Sequence, residues 1–479
     1  MKLKYILLSF IFLGIIPCVY SCEKSNMKDS QKPPEQEEEL KVGSDLQLEV
    51  KVFDNKDKQV VSQAVVEIFK NVEDRALGKN IIVSHKTSGD GVVVFKASEF
   101  NKNNVSLSQL NGVYYLNIYF HNLRLQAETP SLNFEKDKTI RKEVYLMDEM
   151  ADVITVKVAV LYENPVYEGK HFHNGALGVN WYDPVKLSQD YEKTLEEISG
   201  YTVDYQVVTE IEADTLFTYF QDDPGKKHIS IAEMVSYLRE PGWNTLKARG
   251  TKYNYNESVK FYGFDKMRDN GEIHEVWVWS FPYGGMWESH MMGKDAFWIN
   301  SPPNENPSCT ELLSIMGLNY ERDLACALES YGHRFESTMM KVYGWWDYDK
   351  KTSLFQLTTW EKYSAYGLIY NKFENGKAQV GNVHFPPNGK QDYDFGNETY
   401  ILSYANEWLN YPFVRGTEAK RMNRTEWGNT EGSWHSGWMK YYFLHLPHYK
   451  GVNPVDGKLN NWWHYVVDYN AAIKKQTLE

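Results

Sequence analysis

The sequence has few cysteines, no excess of positive charge and no apolar run long enough for a membrane-spanning helix. Four of its 479 residues are cysteine, and the formal net charge is −12. Lysine and arginine form no basic stripe, which argues against nucleic acid as a partner. The sequence also contains no G-x-G-x-x-G, P-loop, H-E-x-x-H or G-x-S-x-G motif. The function therefore has to be argued from other residues.

The first 21 residues are predicted to be a signal peptide. Met1–Lys4 carries two lysines, and the apolar run at 5–16 is too short to span a bilayer as a helix. The segment Val19–Cys22 resembles a bacterial lipobox, and this resemblance implies a lipid on Cys22. A soluble secreted protein cut near Ser21 is the alternative.

Residues 22–43 are polar and acidic and show no apolar period, which predicts a flexible tether. The acidic residues after Cys22 resemble the export signals of Bacteroidota surface lipoproteins. This resemblance implies a protein anchored to the bacterial cell envelope, at the outer membrane. Removal of Cys18 with the signal and acylation of Cys22 leave Cys309 and Cys326, either as a disulfide or as two free thiols.

Residues 44–150 contain short runs of alternating apolar and polar residues separated by turn sequences, which predicts an antiparallel β-sandwich. The pieces at 64–69 and 87–95 resemble the carboxypeptidase regulatory-like, transthyretin-like domain. That family is common as an accessory module on exported proteins. The resemblance implies a stalk that holds the next domain away from the membrane.

Residues 151–479 predict an α/β domain with a mainly parallel sheet and long helices, because strand and helix patterns alternate along the chain. The nearly continuous apolar run at 153–162 indicates a strand buried on both faces. Ligands bind beyond the carboxyl ends of such strands. The loops 163–165 and 282–289 are therefore candidate binding loops.

The stretch Asn319–Gly344 predicts a long amphipathic helix with one apolar stripe. On its opposite arc, Glu329, His333 and Glu336 are spaced four and three residues apart. Their neighbours are small or soft residues instead of the lysines and glutamates of a solvated face. This favours a functional cluster, and a solvated or internally ion-paired helix face is the alternative.

One interpretation of this arc is a metal-dependent hydrolase. Glu329 and His333, together with His384 from a proline-rich loop, provide three ligands for zinc or another divalent cation. Glu336 is then a further ligand or the base that takes a proton from water. His333 and Glu336 have the H-x-x-E spacing of zinc carboxypeptidases, but they lie inside a helix here, so that family's mechanism is not transferred.

Two other interpretations need no metal. One is a glycosidase with paired carboxylates chosen among Glu288, Glu336, Asp392, Asp394 and Glu426. The other is a surface protein without enzymatic activity that grips an extracellular glycan or peptide. Its aromatic contacts are Tyr283, Trp287, Trp345, Trp346 and Trp427.

The predicted site combines these residues by role. The catalytic candidates are Glu336, Glu288 and Asp394, and the metal ligands are Glu329, His333 and His384. The substrate-binding candidates are Tyr283, Trp287, Asn388, Glu426 and Trp427. The predicted partners are the membrane, through the lipid on Cys22, and an extracellular glycan or peptide.

Several longer segments resemble a family of exported bacterial proteins that has no established activity. They include VAVLYENP, EVWVWSFPYGGMWES, NYERDLACALESYGHRFES, NVHFPPN with DYDFGN, EWLNYP, TEWGN and HLPH. The resemblance implies that residues 153–448 form one domain. It implies no reaction.

Overall fold

The computed structural model describes residues 47–96, 99–100, 113–126, 132–133, 139–344, 357–369, 372–373, 376–430 and 432–478. The predicted signal peptide, Cys22, the whole tether, Trp345 and Trp346 lie outside the described residues. Residues Val42–Glu479 belong to one compact unit. Within the described ranges, no helix is both long and apolar enough to cross a membrane.

The first part of the chain forms a single β-sheet around its own apolar core. Its strands, in chain order, are β1 (Gln47–Asp54), β2 (Val65–Phe69), β3 (Val83–Lys86), β4 (Val92–Lys96), β5 (Val113–Phe120), β6 (Leu123–Arg124), β7 (Leu132–Asn133) and β8 (Ile140–Asp148). They follow one another in the order β3-β2-β5-β6-β8-β1-β4, with β7 on β5.

This sheet differs from the predicted antiparallel sandwich in two respects. First, β1 pairs with β8 in parallel, although its other neighbour β4 is antiparallel. Second, the two ends of the strand order meet, because the His85 ring on β3 lies 5.1 Å from the Phe95 ring on β4. The sheet is therefore nearly closed. Turn sequences reveal pairing between successive strands, but not the pairing of the first strand with the last.

The second part of the chain has short strand pairs and one larger sheet. Its strands are β9 (Ile154–Tyr162), β10 (Val166–Tyr167), β11 (Lys170–His171), β12 (Val203–Glu212), β13 (Thr218–Phe220), β14 (Thr251–Tyr253), β15 (Glu275–Ser280), β16 (Ser289–Met292), β17 (Leu313–Asn319), β18 (Leu368–Ile369), β19 (Lys372–Phe373), β20 (Ile401–Ser403), β21 (Lys420–Met422), β22 (His448–Val452) and β23 (Leu459–Asn461).

The larger sheet has five strands in the order β12-β9-β15-β17-β16. The pairings from β12 through β17 are parallel, and β16 at the edge is antiparallel to β17. Apolar side chains cover both faces of this sheet, in two separate core clusters. This explains the continuous apolar run of β9, since a strand buried on both faces has no solvent-facing polar positions.

Helices surround the five-stranded sheet and fill the C-terminal region. They are Val72–Leu77 in the first part and, after it, Pro184–Ile198, Ile231–Leu238, Trp243–Arg249, Tyr255–Tyr262, Phe264–Asp269, Leu324–Tyr343, Thr359–Tyr363, Trp434–Leu444, Trp463–Val467 and Tyr469–Gln476, with a 3-10 helix at Ala405–Asn410.

The longest of these, Leu324–Tyr343, is here called the central helix. It begins after Asp323, whose side chain accepts a hydrogen bond from the Cys326 amide. Leu328, Tyr331 and Phe335 are completely buried in the main core, and burial of each such side chain contributes about 1.5–3 kcal/mol. The predicted start at Asn319 is wrong, because Leu313–Asn319 is strand β17. The apolar residues of Leu313–Asn319 fit the repeat of a strand as well as that of a helix.

The two parts of the chain are joined by buried polar contacts. Arg415 donates two hydrogen bonds of 3.0 Å to the carboxylate of Glu67 on β2. Arg124 on β6 donates to the carbonyl of Tyr411 at 3.1 Å. The segment 411–415 therefore holds the first sheet against the C-terminal region.

Candidate metal centre

Three elements bring the site residues together: the central helix, the loop 381–397 and the helix Trp434–Leu444. The loop reaches the central helix at Gly332, where a Cβ would lie 2.6 Å from a methyl carbon of Val383. Only a residue without a side chain permits this approach. Because the loop lies so close, His384 comes to rest beside His333, with ring centroids 4.7 Å apart.

Three imidazoles converge on the carboxylate of Glu329. The Nε2 atom of His384 lies 3.1 Å from Oε1, and the Nε2 atom of His333 lies 3.7 Å from the same oxygen. The Nε2 atom of His435 lies 3.2 Å from Oε2. The ligand atoms of Glu329, His333 and His384 all lie within 4.8 Å of one another, as do those of Cys326, Glu329 and His435.

The arc of the central helix that faces this cluster is not solvated. Glu329 and Glu336 are each 7% exposed, and the side chains of His333 and His435 are 17% and 18% exposed. The alternative of a solvent-facing arc is therefore wrong. Ion pairing within the arc is present, since every one of these histidines approaches Glu329 or Glu336.

Glu336 lies behind His333. One of its oxygens is 3.4 Å from Nδ1 of His333, and the other accepts a hydrogen bond of 2.8 Å from the Val383 amide. In the same way, Nδ1 of His384 is 3.6 Å from a carboxylate oxygen of Asp392. Both histidines thus have Nε2 toward Glu329 and Nδ1 toward a second carboxylate. Glu336 thus contacts His333 at Nδ1 and the loop at the Val383 amide, and its role as a ligand or base stays a prediction.

The charges in the cluster depend strongly on one another. Burial alone raises the pKa of Glu329, but the nearby imidazoles of His333, His384 and His435 outweigh it and hold this pKa well below its usual range. Burial alone lowers the pKa of His333, but hydrogen bonds with Glu329 and Glu336 raise it to about 10. A protonated imidazole cannot bind a metal ion. A proton and a cation would therefore compete for the same imidazole nitrogens.

Two further side chains interact with the cluster. The hydroxyl of Tyr393 donates a hydrogen bond of 2.9 Å to Oε1 of Glu329, while the residue as a whole is 53% exposed. Glu288 is half-buried, and its negative charge contributes to the raised pKa values of both His333 and Tyr393. Asn300 donates to one Glu288 oxygen at 2.5 Å.

Four other predicted site residues hold the surrounding loops. Asn388 is completely buried and donates to the carbonyls of Asn397 and Thr399 at 2.9 and 2.7 Å. Asp394 accepts hydrogen bonds from Lys390 and Asn397 within the same loop. The other two are Glu426, which pairs with Lys420 at 2.5 Å, and Trp427, which is buried and donates to the Phe395 carbonyl.

The predicted aromatic contacts of the loop 282–289 are more accessible. Trp287 is 51% exposed, next to Glu288 in the chain. Tyr283 is half-buried with a φ of 64°, and its carbonyl accepts a hydrogen bond from Thr251. Trp287 is therefore the aromatic side chain of this loop with the larger surface available to a ligand.

Sequence reasoning missed three residues of the cluster: His435, Cys326 and Tyr393. The signal for His435 is its position in the first turn of a helix capped by Ser433, but nothing in the neighbouring sequence connects it with Glu329. Tyr393 lies between two acidic residues that drew the catalytic assignment instead. Cys326 and Cys309 are both free thiols, so the disulfide alternative is wrong.

The carboxyl end of β9 is occupied by a buried acid. Glu163 is completely buried, and its carboxylate accepts a hydrogen bond of 2.7 Å from Ser280 at the end of β15. Burial raises the pKa of Glu163 to about 7, although hydrogen bonds from Ser280 and Tyr253 lower it in part. In the predicted binding loop 163–165, the carboxyl group of Glu163 is thus buried.

This buried acid predicts a pH-dependent stability. Since the folded pKa of Glu163 lies above the unfolded value of 4.5, its contribution is most favourable below pH 4.5. It is lost as the pH rises to about 7. Glu163→Gln removes the ionisation, so we expect the variant to gain about 3 kcal/mol relative to the unsubstituted protein between pH 4 and pH 8. Urea unfolding at both pH values measures this difference.

Glu197→Gln, on the exposed face of the helix Pro184–Ile198, is the matched control and should follow the unsubstituted protein at both pH values. A constant difference between Glu163→Gln and the unsubstituted protein over this pH range would contradict the assigned ionisation.

Comparison with known proteins gives no family for this chain. No protein-family model matches it, and no curated protein matches it. The likeness of residues 44–150 to the carboxypeptidase regulatory-like domain therefore stays a prediction.

Solved structures share only limited similarity with the chain. The Bacillus anthracis TIE protein is 17% identical over 26% of this chain and 23% of its own, with a TM-score of 0.16. The group B streptococcus pilus 2b backbone protein is 15% identical over 22% and 41%, with a TM-score of 0.15. A streptococcal ancillary pilin is 11% identical over 24% and 36%, with a TM-score of 0.17. The matched part spans less than half of each of these proteins, and TM-scores this low do not establish a shared fold.

Proposed function

We propose that this protein is an exported, lipid-anchored hydrolase of the bacterial cell envelope that uses a divalent cation to cleave an extracellular peptide or glycan. The observation that carries the proposal is the convergence of three Nε2 atoms on the buried carboxylate of Glu329. Export and anchoring rest on the N-terminal sequence.

The spacing of the side chains fits a zinc site. Zinc binds nitrogen and oxygen ligands at about 2.0–2.2 Å, so two ligands of one ion lie about 3–4 Å apart. The separations of 3.1 Å for His384 and 3.7 Å for His333 from Glu329 fall in this range. Histidine ligands also direct their second nitrogen at a carboxylate, which fixes the ring. Glu336 and Asp392 stand in that position.

The cluster resembles a catalytic metal site more than a structural one. His333, His384 and Glu329 are three protein ligands, and catalytic zinc sites combine three such ligands with one open position. His384 and Tyr393 are the more exposed members of the cluster. A bound cation supplies Lewis-acid polarisation of the scissile group and lowers the pKa of water to about 7.

The remaining side chains have separable roles in this proposal. Glu288 acts as the base that takes the proton from water. The Tyr393 hydroxyl is a hydrogen-bond donor that can turn from Glu329 to the negative charge that develops on the substrate. Trp287, adjacent to Glu288, offers an exposed aromatic surface to the substrate.

Metal analysis of the purified full chain tests the proposal. We expect stoichiometric zinc in the unsubstituted protein, and one equivalent less in His333→Ala and in His384→Ala, because each loses a ligand of the same ion. His85→Ala is the control, since His85 lies on β3 and contacts Glu99 far from the cluster in the chain. It should retain the full metal content.

A screen of peptide and glycan substrates, before and after removal of metal with a chelator, then separates an enzyme from a binding protein. Hydrolysis that is abolished by the chelator and restored by zinc supports the proposal. A protein without metal, or hydrolysis that the chelator leaves unchanged, would overturn it. Hydrolysis without metal would favour the glycosidase with paired carboxylates, and a metal-free protein without hydrolysis would favour the surface binding protein.

A further inference from the structure

We propose that Cys326, Glu329 and His435 form a second cation site, so that the Glu329 carboxylate bridges two metal ions. This inference rests on the proposed function, because it takes the site of His333, His384 and Glu329 as the first. Each carboxylate oxygen then serves one ion.

The arrangement around Glu329 is two-sided. His333 and His384 approach Oε1, whereas His435 approaches Oε2 at 3.2 Å. Cys326, Glu329 and His435 each offer a ligand atom within 4.8 Å of the others. Ligands of one zinc ion can be separated by at most about 4.4 Å when a thiolate is included, so a small adjustment of side chains closes this set around an ion.

The imidazole ring of His435 is fixed by packing, but its Nε2 atom has no hydrogen-bond partner among the described residues. Its ring stacks on Phe395 with centroids 4.8 Å apart and an interplanar angle of 5°. Its Nε2 atom is buried and makes no hydrogen bond of acceptable geometry to any described residue, although Glu329 is close. Buried polar atoms are rarely left without a partner. A cation between Nε2 and Oε2 would satisfy both atoms.

Cys326 completes the set with a soft ligand. It lies one turn before Glu329 on the central helix, and its amide is fixed by Asp323. Burial raises the pKa of its thiol to about 12, with a further contribution from the charges of Asp323 and Glu329. A cation bound here would take the place of the thiol proton, which would leave to solvent. A ligand set of thiolate, imidazole and carboxylate selects zinc over magnesium or calcium.

Titration of the metal-free full chain with zinc tests this inference. We expect two equivalents in the unsubstituted protein, one in Cys326→Ser and one in His435→Ala. Cys309→Ser is the matched control, because Cys309 is also a free thiol but is buried in the other core of the five-stranded sheet. It should bind two equivalents.

Cobalt gives a second measurement that does not depend on activity. A thiolate-to-cobalt charge-transfer absorption should appear in the unsubstituted protein and in Cys309→Ser, and should be missing in Cys326→Ser. One equivalent of zinc in the unsubstituted protein, unchanged in Cys326→Ser, would overturn the second site and leave the hydrolase proposal standing. No bound zinc at all would overturn both. Two equivalents in Cys326→Ser would show that the ligands of the second ion are wrongly assigned.

Discussion

Glu329→Gln is expected to bind no zinc and to have no more hydrolytic activity than the metal-free protein. Glutamine preserves the size of the side chain but removes the negative charge that His333, His384 and His435 share. Its amide has one oxygen, so it cannot serve two ions as a carboxylate can. Zinc content by elemental analysis and the rate of substrate hydrolysis measure the two losses in one preparation.

Glu336→Gln is the informative comparison because it changes the same residue type on the same helix. In the proposed site, Glu336 would act through His333, whose Nδ1 it contacts, and not on the cation. Loss of such an outer carboxylate typically lowers metal affinity by about 10–100-fold. Activity of Glu336→Gln should therefore recover when zinc is in excess, whereas that of Glu329→Gln should not. Stoichiometric zinc in Glu329→Gln would contradict the central role of its carboxylate.

The helical part of this site was predictable because it depends on local spacing. Glu329, His333 and Glu336 lie on one arc of a helix whatever surrounds it. The unusual small residues beside them indicated a covered arc, and Gly332 shows the reason, since the loop 381–397 packs directly on it. His384 was included because a proline-rich loop dense in polar and aromatic residues is seldom a simple linker.

The division of roles within the cluster was not predictable. Whether Glu329 or Glu336 lies at the centre depends on which carboxylate the loop and the helix Trp434–Leu444 approach. His435 enters from far along the chain, and no periodicity connects it with the central helix. The same limit applies to the first sheet, where the parallel pairing of β1 with β8 follows from closure of the sheet and not from any turn sequence.

The start of the central helix shows how tertiary contacts decide between two local patterns. Residues before Asp323 have apolar side chains that suit a helix or a strand. Residues 314–319 pair in parallel with β15, and residues 313–316 also pair with β16, so the sheet takes up most of the backbone hydrogen bonds of β17. The helix can then begin only where Asp323 caps it.

Loss of the ion pair between Arg334 and Glu275 is expected to be the most destabilising single change outside the cluster. Arg334 follows His333 directly but lies on a different face of the central helix, about 100° further around its axis. Its guanidinium is 2.7 Å from the carboxylate of Glu275 on β15, and it donates to the Val466 carbonyl at 2.7 Å. Both side chains are completely buried. Arg334→Met leaves Glu275 as an unpaired buried charge, which costs about 3–5 kcal/mol.

Urea unfolding of the metal-free proteins measures this loss without the contribution of bound zinc. The double variant Glu275→Leu with Arg334→Met should be markedly more stable than Arg334→Met alone, because it leaves no charge in the core. Lys186→Ala is the control: its contact with Asp190 is an exposed ion pair on the helix Pro184–Ile198, so its unfolding midpoint should not change measurably. Equal stability of the single and double variants would contradict the penalty of an unpaired charge. The pair holds the helix that positions Glu329 and His333 against the sheet, so Arg334→Met should also weaken zinc binding, even though Arg334 touches no proposed ligand of the ion.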